Sequence, residues 1–194
     1  MPAAPPRRTQ AERRAQTRAK LLKAAGAVFA RRGYHEATLD EIADRAGLSK
    51  GALYYNFASK EDLFLALLAD RLDARLGDAA GAGPRAFEAF VAALERDPRW
   101  APLFFEFVAW SGRDARRRAR LRERFILPAR EHTRAVVAAE ASPFSPDELA
   151  TIVNALVNGL LLERLFDPEG VPGDLVTRAL IVLTAAEFGS SADG

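Results

Sequence analysis

The chain contains no cysteine, which excludes a disulfide framework and a thiolate metal site together. Its only histidines are His35 and His132. No HExxH or glycine-rich phosphate loop occurs anywhere, so a zinc-protease helix and a nucleotide cradle are both missing. An enzyme would have to be assembled from scattered carboxylates, and no positive feature points to one. No catalytic residue, metal ligand or cofactor is therefore expected. No stretch approaches 18 consecutive apolar residues, the length a transmembrane helix needs. The opening MPAAPPRRTQAERR is basic but carries no apolar run, so it is not a secretory signal. These absences lead to the expectation of a soluble, cytoplasmic protein with no membrane partner.

What the chain does carry is unevenly placed. Its 194 residues suit one compact unit or two small ones and allow a sizeable core. The overall net charge of +2 hides a strong asymmetry: through Lys60 there are 12 Lys+Arg against 5 Asp+Glu, and beyond it 16 against 21. All four lysines (Lys20, Lys23, Lys50, Lys60) lie in the basic part. A basic head on an acidic body fits a polyanionic partner at one end only.

Helical periodicity dominates, and strand-like alternation is absent. A first helix is expected from about Thr9 to Arg32, stopped by Gly33, with Tyr34 packing over its end. A fourth, capped by Ser59, runs to about Leu76, and GDAAGAGP (Gly77 to Pro84) then punctuates the chain. Helices follow at Pro84 to Arg96, Pro98 to Ser111, an arginine-rich Asp114 to Glu140 kinked at Pro128, Ser145 to Phe166, and Leu175 to Phe188. The expected fold class is all-α with about nine helices: an N-terminal three-helix domain and a C-terminal helical bundle.

Within this frame, Thr38 to Lys60 (TLDEIADRAGLSKGALYYNFASK) is the most specific signal. Leu39, Ile42, Ala43 and Ala46 make a short amphipathic helix, capped by Thr38 with Glu41 in capping-box register. Gly47 ends it in a left-handed turn plugged by Leu48, and a second helix follows from about Ser49 to Asn56. Two short helices joined by such a turn form a helix-turn-helix, whose second helix enters the DNA major groove. At these residues the resemblance to a known family is plain. KLLKAAGAVFARRGYHEAT, LDEIADRAGLSKGALYYNF and SKEDLFLALL are similar to the DNA-binding domain of the tetracycline-repressor (TetR) family of bacterial transcription regulators. About a quarter of the chain carries it strongly. The implied division is a DNA-binding domain at 1–58, with 1–8 as a mobile basic arm, and a ligand-binding and dimerisation domain at 59–194.

The candidate DNA-contacting residues are Thr38, Ser49, Lys50, Gly51, Ala52, Tyr54, Tyr55, Asn56 and Lys60, and the partner is a double-stranded DNA operator. Lys50 can donate to guanine O6/N7 or settle on a phosphate, and the Ala52 methyl can meet a thymine methyl. A glycine in mid-helix costs roughly 1 kcal/mol relative to alanine, and a backbone lying against the groove floor supplies a reason for Gly51. Thr38 and Lys60 sit at helix N-termini, where free N–H groups favour phosphate. The resemblance implies that Tyr54 and Tyr55 both face DNA, although one of them as a core residue fits the spacing too. The family usually has histidine where this chain has Asn56, which can still donate to phosphate but brings no cation.

In PRWAPLFFEFVAWSG, Trp100, Phe104, Phe105, Phe107 and Trp110 place five of seventeen aromatics in eleven residues. This is either a central core helix or one wall of a cavity for a small hydrophobic effector, with Glu106 as a polar determinant. The resemblance favours the second, since TetR proteins bind inducers inside the C-terminal body. The arginines from Arg113 to Arg124 spread around the helix axis and read as a solvated surface. Leu156, Leu160 and Leu161, with Leu180 and Leu183, sit in wide apolar bands that suit a monomer core or a dimer seam. The resemblance implies the seam, a homodimeric four-helix bundle. The expected function is thus a ligand-released repressor binding a palindromic operator as a homodimer. The alternatives are a helix-turn-helix regulator with no small-molecule effector and, more remotely, a helical enzyme or adaptor.

Overall fold

The computed structural model describes residues 9–79, 99–136, 142–172, 174–175, 178–179 and 182. Among them there is no strand. The chain divides into two compact units, Met1–Leu68 and Ala69–Gly194, and the boundary between them falls inside a helix.

The first unit is built on α1 (Gln10–Glu36). Thr9 and Glu12 close a capping box at its start, and Gly33 breaks it near its end at φ 77°, a conformation glycine adopts without a Cβ clash. That break turns Tyr34 inward, where it stacks on Phe29 at 5.9 Å and meets Phe64 edge-on at 5.2 Å. Thr9 is therefore the cap, not the first turn, and the helix outlasts the expected stop by the residues that Gly33 re-aims. α2 (Leu39–Ala46) and α3 (Lys50–Asn56) follow, joined by Gly47 at φ 65°. The Gly47 and Leu48 N–H groups donate back to the Asp44 and Ala43 carbonyls at 3.0 Å each, so the turn satisfies carbonyls that the helix end leaves open. α4 (Lys60–Ala79) then begins under the Ser59 hydroxyl, which accepts from the Asp62 N–H at 3.0 Å. Leu21, Leu22, Val28 and Phe29 of α1, Ile42 of α2, Leu53 of α3, Phe57, and Leu63 and Phe64 of α4 form the buried core.

One local expectation changes. Thr38 does cap α2, accepting from the Glu41 N–H at 3.2 Å, but the Glu41 carboxylate does not complete a capping box. It takes Arg31, and Arg32 at 3.5 Å. Two cations outcompete one neutral N–H.

The second unit takes up α4 from residue 69 onward. Helix α4 runs through Gly77 to Ala79, past the expected end at Leu76, because one glycine weakens a helix without stopping it. Among the described residues α5 (Trp100–Gly112) follows, then α6 (Ala115–Leu121), a π-helical turn (Arg122–Ile126) and α7 (Leu127–Val136) in one continuous run. Pro128 does disturb this run, but through the wide turn just before it. Proline withholds the N–H owed to residue 124 and crowds that carbonyl, and an i→i+5 turn makes room. α8 (Pro146–Phe166) is capped by Ser145 in a full capping box with Glu148. It packs on α7, and Asn154 Nδ2 stitches the two by donating to Thr133 Oγ1 at 2.8 Å.

α8 also corrects the reading of apolar runs. Among the described residues it is the one helix long and apolar enough to cross a membrane by length and composition. Asn154 and Asn158 interrupt every consecutive run, but an average over the helix passes over them. Core helices of soluble proteins meet the same criterion. The arm at 1–8, the expected helix at 84–96, and Leu180 and Leu183 lie outside the described residues.

Candidate nucleic-acid interface

The α2–α3 pair presents a coherent outer face. Leu53 and Phe57 are buried and fix α3 from within, while Ser49, Lys50 and Gly51 at its tip are exposed. The Ser49 hydroxyl caps α3, accepting from the Ala52 N–H at 3.2 Å. Ala52 is half-buried. Tyr54 and Tyr55 are both exposed, at 54% and 67%, so neither is a core residue. Two adjacent exposed aromatics on a short helix are costly to leave in water and make this face a candidate contact surface.

Gly51 is the informative residue of this face. A Cβ built there would meet only Ser49 Oγ, at 3.8 Å, and its φ is ordinary for a helix. Neither packing nor backbone conformation inside the chain requires glycine there, which is true of Gly112 and Gly159 as well, so it is the place of Gly51 at the exposed tip of α3 that points to a reason outside the chain. A backbone that must approach another surface closely is such a reason.

Other expected contacts are engaged within the protein. Asn56 Nδ2 donates to the Ala52 carbonyl at 2.8 Å, back along its own helix. Lys60 Nζ donates to the His35 carbonyl at 2.9 Å and the Ala37 carbonyl at 3.1 Å, and lies 4.9 Å from the centre of the Tyr34 ring. It thereby satisfies carbonyls at the ragged end of α1. Lys60→Ala should lower the unfolding free energy by about 1–2 kcal/mol, because charge-assisted bonds to two carbonyls disappear. A urea titration followed by circular dichroism checks this, and an unshifted midpoint would deny Lys60 that structural part.

Three residues on this face escaped sequence reasoning. Asp40 accepts from Lys50 Nζ at 2.6 Å. Its hydrogen bond and charge hold the Lys50 pKa above its ordinary value. From α1, the guanidinium of Arg14 lies over Tyr55 at 5.4 Å and that of Arg18 over Phe57 at 4.7 Å. These arginines add positive charge beside the far end of α3. Their signal was only a basic α1, which does not say which turn faces the reading helix.

Residues 21–67 match bacterial regulatory proteins of the tetR family, and residues 84–188 match the C-terminal region of BetI-type transcriptional repressors. The regulator SrpR of Pseudomonas putida is 32% identical over 172 residues, covering 82% of this chain and 79% of that protein. The chain belongs to the TetR family. This is a family of helix-turn-helix transcription regulators and not one of enzymes. The transcriptional activator FasR of Mycolicibacterium smegmatis is 55% identical over 60 residues, covering 31% of this chain but only 27% of FasR. The TetR fold extends over both units: the Bacillus subtilis regulator FadR, solved with stearoyl-CoA, aligns with a TM-score of 0.66 at 16% identity, covering 86% of this chain and 97% of that one.

In the second unit, α5 buries Trp100, Leu103, Phe104, Phe107 and Ser111 on one face. Glu106 and Trp110 are half-buried. Arginines cover both tryptophans, Arg71 over Trp100 at 4.1 Å and Arg117 over Trp110 at 4.0 Å. Phe104 and Phe125 lie 5.5 Å apart, and so do Phe107 and Trp110. The buried stripe ends in a polar anomaly: Ser111 is 1% exposed, and its hydroxyl has no hydrogen-bond partner among the described residues. Arg113, Arg116, Arg118, Arg122 and Arg124 are exposed, as expected for a solvated surface. Along α8, Leu149, Ala150, Val153 and Val157 are buried, whereas Leu156, Leu160 and Leu161 are half-buried and Leu162, Leu165 and Phe166 exposed. The described residues contain no cluster of metal-ligating side chains.

Proposed function

We propose that this TetR-family chain is a repressor that binds a palindromic DNA operator as a homodimer and is released by a small apolar ligand in its C-terminal body. The observation carrying the DNA reading is the tip of α3: an exposed glycine that the protein's own packing does not require, beside an exposed lysine and two exposed tyrosines. A single reading helix makes few contacts, and pairing two by symmetry supplies the rest. The half-buried and exposed apolar residues along the outer side of α8 support a second copy as what covers them.

An apolar effector is supported by the half-buried side of α5, where Trp110 and Glu106 flank the buried aromatic stripe. The unpaired Ser111 hydroxyl at its end suits one polar group on that ligand, since a buried hydroxyl without a partner is costly. Among related folds, FadR was solved in complex with stearoyl-CoA, a lipid-like molecule, and supports this reading by analogy of fold. Ligand binding would favour a spacing of the two reading heads that no longer matches successive major grooves. Helix α4, whose residues belong to both units, is the natural lever.

Selection from a duplex pool with a randomised core should return a near-palindrome, bound with log K falling steeply as salt rises. Gly51→Leu separates the reading from the fold. It should leave thermal stability equal or raised by about 0.5–1 kcal/mol, since leucine is the better helix former, while abolishing specific binding. Retained operator binding by that variant would remove the close approach on which this proposal stands.

A further inference from the structure

Lys50 is the only charged residue of α3 (KGALYYN), and Asp40, on the second residue of α2, holds its ammonium at 2.6 Å. The two side chains are 61% and 53% exposed, so no buried polar group demands the pair, and an exposed ion pair contributes little to folding. On a face that meets phosphates, a carboxylate is also a liability, because it repels the very charges that lysines attract. Asp44, further along α2, adds a weaker attraction on the same ammonium.

The arrangement makes sense as a reading device. A lysine is a flexible point charge that takes the nearest phosphate unless something restrains it. Tied to Asp40, it presents a donor and an acceptor side by side at the base-facing tip of α3. In the major groove a G·C pair offers the complementary edge: acceptors at guanine O6 and N7 next to the donor at cytosine N4. We infer that Asp40 is a specificity-determining residue that positions Lys50 away from the phosphates and, together with it, reads one G·C pair in each half-site. This inference rests on the proposed DNA reading and names what that site recognises.

The test uses the full chain and the duplex it enriches from a randomised pool, with a scrambled duplex of equal length as the non-specific probe. The enriched half-site should contain one G·C pair whose replacement by A·T weakens wild-type binding about tenfold, the size of one good base contact. In Asp40→Asn that discrimination should fall to about twofold or less. Binding to the scrambled duplex should tighten, with a salt slope steeper by about one, as the released Lys50 finds a phosphate. Lys50→Ala should lose the same discrimination, and adding Asp40→Asn to it should remove no more. A general loss of folding would instead weaken both duplexes alike. If wild type enriches no duplex, the DNA reading fails and this inference with it. If wild type enriches a duplex and Asp40→Asn keeps its preference at every position, this inference alone is overturned.

Discussion

Leu160→Glu should convert the protein to folded monomers and weaken operator binding by roughly 100-fold or more. The magnitude follows from burying an unpaired carboxylate in an apolar seam, which costs several kcal/mol, with each 1.4 kcal/mol worth a factor of ten. The position matters. Val153 and Val157 on the same helix are already buried within one chain, so a charge there would unfold the monomer and report nothing about assembly. Leu160 is only half-buried, so its glutamate can stay hydrated in a monomer and is penalised chiefly in a dimer. Sedimentation of wild type and variant at micromolar concentration reads the outcome directly. A wild-type chain that sediments as a stable monomer there would refute the interface, and a dimeric variant would place the seam elsewhere.

Phe107→Ala should destabilise the fold by about 3–5 kcal/mol, the usual cost of removing a buried phenyl ring. For a chain of this size that corresponds to a melting temperature lower by about 10–15 °C. Phe107 is 1% exposed and packs against Trp110, which are core properties. A cavity wall behaves differently: truncation leaves the melting temperature nearly unchanged and alters the response to ligand. Trp110→Ala is the companion measurement. Its half-buried ring lies beneath Arg117, so its truncation should cost less than that of Phe107. Ligand release unaltered by either substitution would turn the effector away from this stripe and favour a regulator with no small-molecule trigger.

The helix-turn-helix was legible in the sequence because everything that specifies it is local. Thr38, Gly47, Ser49 and Ser59 are caps or turns whose partners lie within a few residues, and Leu39, Ile42, Leu53 and Phe57 state their facing by spacing alone. The start of α8 at Ser145 was readable for the same reason. The aromatic density of α5 was visible too, but not which rings turn inward. That depends on where α6, α7 and α8 pass, and so does the stranded hydroxyl of Ser111.

The sequence by itself therefore determined the all-α class, the reading motif and its small exposed tip, since these follow from short-range periodicity, capping and glycine geometry. Only the tertiary structure decided that Glu41 belongs to Arg31 and Arg32, that Lys60 clamps the end of α1, and that Lys50 is held by Asp40. It also divided the apolar residues of α8 between a face buried within the chain and one left partly open. Each of these is a partnership between separate helices. A side chain's type states what it can bond, whereas the path of the backbone decides which of several equally suitable partners comes within 3 Å, the reach of a hydrogen bond.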